Sequence, residues 1–136
     1  MINGRLNGYE LNYIPCIELD ERLDYYTPVL ITNDTMIENE KETVQKVVSA
    51  IKKGYEYAVE NPEEAAKIMY EVLPETDQTF ILESQKYLSK QYSLGSDTWG
   101  LMKDEVWNNY TDFMVEYGLI ETKVEASAQY TNEFIK

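Results

Sequence analysis

A chain of 136 residues, 43% hydrophobic and 12% aromatic, has enough apolar material for one core, so disorder is not expected and residues 1–136 are read as a single domain. Twelve Lys plus Arg against 25 Asp plus Glu give a net charge of −13, which opposes binding to nucleic acid or to anionic lipid, and no apolar run approaches the roughly 20 residues a membrane-spanning helix needs. With no His and a single cysteine, Cys16, the chain has no internal disulfide, no Cys-His or Ser-His pair and no zinc motif. The expectation is a chain that is not an enzyme, with no catalytic residue, no metal and no cofactor.

In chain order, MINGRLNGYELNY at the start carries an arginine but lacks the apolar core and small-residue cleavage site of a secretory signal, so the chain as written is expected in the cytoplasm. Glu10–Glu18 alternates apolar and polar positions as a strand does, with Cys16 of the opposite parity and assigned no chemistry. Asp20-Glu21-Arg22 is a polar turn, and Tyr25–Thr32, rich in aromatic and β-branched residues, is read as a second strand. Pro15 and Pro28 remove ladder donors, which puts these strands at a sheet edge or the prolines at strand ends. Asn33-Asp34-Thr35 lacks the later ligands and glycine of a calcium loop and is read as the cap of a following helix.

From about Glu40 to Glu60, Val44, Val47, Val48, Ile51, Tyr55, Ala58 and Val59 recur at the spacing of one helical face. Asn61-Pro62 ends that helix and starts another, with Glu63 and Glu64 opposing the positive end of its dipole and Ala65, Ile68, Met69 and Val72 as the expected buried stripe. Pro74 breaks it. Asp77 caps a third helix to about Gln91, with Phe80, Ile81, Ser84, Tyr87 and Leu88 on one side. Ser93–Gly100 reads as a loop, and a fourth helix from about Lys103 to Tyr117 stops at Gly118, with a further helical turn near Val124–Tyr130. The expected class is a helix-rich α/β fold, two N-terminal strands followed by four to five helices.

The glycines form neither a dinucleotide fingerprint nor a phosphate loop, and the paired carboxylates sit in turns or at helix starts, where solvation explains them. The residues with most to offer a ligand are Tyr25 and Tyr26. A tyrosine presents a flat apolar face for stacking and a hydroxyl for a polar edge, as a heteroaromatic ring requires. The other reading of the pair, one ring in the core and one over an edge strand, stays open. Tyr55, Tyr57, Tyr87, Tyr110 and Tyr117 follow helical spacing and are read as core, and Trp99 and Trp107 as anchors.

Leu23–Ile37 (LDYYTPVLITNDTMI) resembles the crossover strand of a two-lobed solute-binding protein. The resemblance continues from about Gly8 through KGYEYAVENPEEAAKIM, YLSKQY, Trp99-Gly100, EVWNNYTDFMVEYGLI and YTNEFI, which look like the C-terminal part of the thiamine-pyrimidine-precursor group of periplasmic-binding-protein-like (type II) proteins, a group that includes pyrimidine synthase-like members. It implies capture of a pyrimidine between two α/β lobes and delivery to an ABC permease, in proteins that are exported or membrane-anchored. Tyr25 and Tyr26 would lie at the floor of the cleft, and no residue here matches the carboxylate that holds the ligand's amino group.

The family is more than twice as long, which implies a truncated protein with apolar faces left to find partners, and hence a homo-oligomer. The alternatives are a ligand-free remnant that self-associates, and a fragment of a pyrimidine synthase-like enzyme. The last lacks the histidine and any recognisable cofactor lysine.

Overall fold

A computed structural model describes residues 1–92 and 98–135. Seven α-helices follow one another among these residues: α1 (Ile2–Leu6), α2 (Cys16–Leu19), α3 (Asp34–Asn39), α4 (Lys41–Glu60), α5 (Pro62–Val72), α6 (Gln78–Leu88) and α7 (Asp104–Glu116), with 3₁₀ turns at Glu21–Leu23 and Ala126–Ala128. No strand occurs among the described residues, which corrects the α/β expectation. Where Glu10–Glu18 promised a strand, Pro15 holds the extended conformation of an N-cap (φ −62°, ψ 130°) and the chain turns into α2. Tyr25–Thr32 is irregular, with a cis Thr27-Pro28 bond. Strand preference is a preference for a paired, half-buried surface, and neither segment has a neighbour with which to form a ladder.

The described residues fall into two compact units, Met1–Tyr13 with Gln45–Gly100 and Ile14–Val44 with Leu101–Lys136. In the first, α5 packs against α6. Ala66 is completely buried, and Ile81 and Ser89 are nearly so, the Ser89 hydroxyl donating to the Lys86 carbonyl at 3.2 Å. Asp77 caps α6 as its sequence predicts, accepting the Phe80 N–H at 2.8 Å. Pro62 opens α5, but the Asn61 amide turns back to donate to the Tyr57 carbonyl and makes no side-chain cap. The inward face of α5 also differs from expectation. Ala65 is half-buried as expected, but Pro62, Ala66 and Tyr70 of the helix and its C-cap Leu73 are the other sheltered positions, whereas Ile68 is 56% and Val72 66% exposed. Tyr55 of α4 meets Tyr92 edge-on at 4.8 Å and Trp99 at 5.2 Å, so Trp99 is an anchor. Residues 93–97 of the expected loop lie outside the described residues.

The second unit is organised around α7. Its C-terminus is a Schellman motif: Gly118 takes φ +66°, its N–H donates to the Val115 carbonyl, and the Leu119 N–H donates to the Met114 carbonyl at 2.8 Å. Asn33 caps α3 through the Met36 N–H at 2.9 Å, and Asp20 caps the Glu21–Leu23 turn through the Arg22 N–H at 2.9 Å. Ala126 and Phe134 are buried, and the buried Thr111 hydroxyl accepts a hydrogen bond from the Gln129 side chain at 3.1 Å.

Candidate functional site

The N-terminal end of α7 has no side-chain cap from its own N-cap residue, Lys103. Distant segments serve it instead. The Lys103 N–H donates to the Tyr26 hydroxyl at 2.9 Å. Asn132 grips the neighbouring peptide in both directions, its amide nitrogen donating to the Met102 carbonyl at 2.8 Å and its amide oxygen accepting the Met102 N–H at 3.0 Å. At the first residue of the helix, Asp104 accepts a hydrogen bond from the Tyr130 hydroxyl at 2.6 Å. Three sequence segments, Tyr25-Tyr26, the start of α7 and Tyr130–Asn132, thus meet at one place.

Rings fill the space between them. Tyr25 stacks on Tyr110 at 4.4 Å and 19°, and Tyr26 tilts over Trp107 at 6.1 Å. Trp107 stacks on Tyr130 at 5.7 Å and 10°. Farther along α7, Tyr110, Phe113 and Tyr117 continue the row, and the Arg22 guanidinium stands 5.4 Å over the Phe113 ring while pairing with Asp20 and Glu116. The Tyr130 phenol is pushed up to about 12, first by its hydrogen bond to Asp104 and then by desolvation and by the charge of that carboxylate. Hydrogen bonds from Arg22, first through its side chain and then through its backbone, hold the Asp20 carboxyl below its usual range.

Two polar atoms are left over. The indole N–H of Trp107 and the amide oxygen of Asn108 are buried without a hydrogen-bond partner among the described residues. Buried polar groups are nearly always paired, so a donor and an acceptor orphaned on adjacent residues beside an aromatic stack are chemically notable. No group of three His, Cys, Asp or Glu side chains among the described residues is placed to hold a metal, and no described helix is long and apolar enough to cross a membrane.

Tyr25 and Tyr26 therefore lie in one aromatic set with residues that the sequence reading assigned to packing (Tyr110 and Trp107) or did not single out (Tyr130, Asn132 and Asn108). Tyr25 remains 44% exposed, its stacked face turned to Tyr110. The core assignment is corrected for Tyr57, Tyr87 and Tyr117, each more than two-fifths exposed. The missed residues belong to the EVWNNY and YTNEFI segments that carried the resemblance, but no local period joins them to Tyr25-Tyr26.

Residues 1–65 match the family model described as NMT1/THI5 like. A riboflavin-binding protein, RibY of Chloroflexus aurantiacus, is 26% identical over 78% of this chain, and the match covers 32% of that protein, so the chain spans about a third of its relative's length. By its name the relative is a binding protein. Together these similarities support the resemblance of the Leu23–Ile37 segment to periplasmic-binding-protein-like substrate-binding proteins.

Proposed function

We propose that this chain supplies one wall of a solute site for a planar nitrogen heterocycle, with Tyr25 and Tyr26 as the stacking residues, in a protein that hands its ligand to an ABC permease. The observation that carries the proposal is the exposed Tyr25 ring, backed by Tyr110 and standing in the same aromatic set as the orphaned Trp107 N–H and Asn108 oxygen. A ring held rigid by a neighbour stacks on a ligand at low entropic cost, and a nitrogen heterocycle carries on its edge the acceptor and donor that the two orphaned atoms lack. Because both atoms are buried, the covering rings must shift for an edge to reach them.

The resemblance favours a thiamine pyrimidine precursor, while the RibY name favours a flavin. Both are flat, nitrogen-bearing and hydrogen-bonding, and the same wall accommodates either. A thermal-shift and calorimetric panel of hydroxymethylpyrimidine, its formylamino analogue, thiamine and riboflavin decides between them. Saturation by one class names the ligand, and a cooperatively folded protein that binds none overturns the reading. Tyr25→Ala is expected to weaken the bound ligand about tenfold, since stacking on an aromatic side chain is worth about 1–3 kcal/mol.

A second reading is favoured by a different observation. Ile68, Val72, Leu30 and Ile31 are all more than half exposed, which is unusual for a chain with so much apolar surface to hide. On this reading the chain forms a homo-oligomer that covers such residues, and light scattering tests it directly.

A further inference from the structure

The first unit holds a cavity of its own where α1 meets α6, with a volume of about 420 Å³, the size of a small-molecule site. Its lining departs from the charge of the whole chain. Against a net charge of −13 it gathers three cations, Arg5 of α1, Lys86 of α6 and Lys90 just beyond α6, with Glu83 as its carboxylate. Lys86 is neutralised, 3.2 Å from Glu63 and 3.8 Å from Glu83. Arg5 and Lys90 make no ion pair or side-chain hydrogen bond among the described residues. Yet the chain has 25 carboxylates, and Arg22, Lys41, Lys52, Lys67 and Lys123 each hold at least one.

Helix ends explain where these cations lie along the chain but not why they converge. Arg5 is in the last turn of α1 and Lys86 in the last turn of α6, where a cation opposes the negative end of the dipole. That preference is met on each helix separately. Bringing Arg5 and Lys90 to one cavity adds like-charge repulsion, which an anion of two charges removes. Two tyrosines complete the lining, Tyr13 at 58% and Tyr87 at 43% exposure, neither ring paired with another among the described residues. A bare phenol ring offers a face for stacking and a hydroxyl to donate to an oxyanion. We propose that this cavity binds a phosphomonoester of a flat organic molecule, with the phosphate on Arg5 and Lys90 and the ring against Tyr87. A guanidinium fork meets phosphate oxygens in pairs and an ammonium adds a point charge. A phosphomonoester near neutral pH carries nearly two charges and so balances both cations, whereas a carboxylate leaves one over. The cavity belongs to the first unit and Tyr25 and Tyr26 to the second, so its test is independent of the tyrosine wall.

The test is an NMR titration of the amide-labelled chain at low salt and neutral pH, with phenyl phosphate, inorganic phosphate and benzoate as probes and circular dichroism as the check on folding. Phenyl phosphate is expected to give saturable shifts at Arg5, Tyr87 and Lys90. It is expected to bind about fivefold more tightly than inorganic phosphate, which lacks the ring, and than benzoate, which carries one charge. Arg5→Gln and Lys90→Gln, both at exposed positions, are each expected to weaken it about fivefold, the value of one exposed charge pair. Lys53→Gln removes an exposed α4 cation outside the cavity and is expected to leave binding unchanged. No saturable shift at the cavity, or an equal loss in Lys53→Gln, overturns the site. Benzoate binding as tightly as phenyl phosphate overturns the phosphate assignment, and inorganic phosphate doing so overturns the role of Tyr87.

Discussion

The two units are both helical, yet they are held together by different chemistry. In the first, α5 lies on α6 with a completely buried alanine, Ala66, and, among the described residues, one large buried apolar side chain, Ile81, while apolar Ile68 and Val72 are exposed. In the second, one helix of 13 residues is surrounded by rings and by side chains that hydrogen-bond to backbone: Tyr26 to Lys103, Asn132 to Met102, Asp20 to Arg22. Helix-on-helix packing depends on area and spacing and tolerates substitution of its outward positions. A ring-and-amide arrangement depends on geometry, and each member is directional. The second unit therefore holds the directional contacts, while both units leave apolar side chains exposed, Ile68 and Val72 in the first and Leu30 and Ile31 in the second.

Substitutions break or sharpen this contrast in a definite order. Phe134→Ala removes the large buried ring of the second unit and is expected to cost about 3–5 kcal/mol in denaturant unfolding followed by circular dichroism. Asn132→Ala leaves the Met102 N–H and carbonyl without their partner and is expected to cost about 1–3 kcal/mol, with faster amide exchange at Met102 and Lys103.

A smaller, pH-dependent effect belongs to Tyr130. Its folded-state value is raised to about 12, so its contribution is whole below the ordinary phenol value of about 10 and is lost as pH climbs from there through the folded value. Stability measured between about pH 9 and pH 12 is expected to fall less steeply in Asp104→Asn, which keeps an acceptor and removes the charge. The smallest effect is in the first unit. Ile68→Ser, on the exposed face of α5, is expected to stay within about 0.5 kcal/mol of wild type. A cost of several kcal/mol there would mean that the face is covered.

Much of the helical framework was legible because it is written locally. The extent of α4, the Asn61-Pro62 junction, the Asp77 cap and the Gly118 stop each act within a few residues and fall where the sequence puts them, although Val47 and Val59 of the expected α4 face are exposed. The strands were not legible in the same way. Residues such as those of Tyr25–Thr32 favour a sheet only when a partner strand is present, and a single sequence does not show whether one is. The face of α5 failed for a related reason: Ile68, Met69 and Val72 are apolar at helical spacing, but an apolar face turns inward only where something packs against it. At the candidate site, chemistry alone singled out Tyr25-Tyr26. Their companions Tyr110, Trp107, Tyr130 and Asn132 come from distant segments, and no periodicity links positions that meet only in the folded chain.

The central claim is that Tyr25 and Tyr26 form a stacking wall, and a ring-labelled NMR titration tests it most directly. With tyrosine and tryptophan rings labelled, hydroxymethylpyrimidine and riboflavin are added separately, up to the millimolar range in which one wall of a site is expected to bind, about 4 kcal/mol of affinity. The account predicts saturable shifts at Tyr25, Tyr26 and Trp107 with one of the two ligands, and a loss of those shifts in Tyr25→Ala. Unchanged Tyr25 and Tyr26 rings in a folded protein, with either ligand at saturation of its solubility, would contradict it.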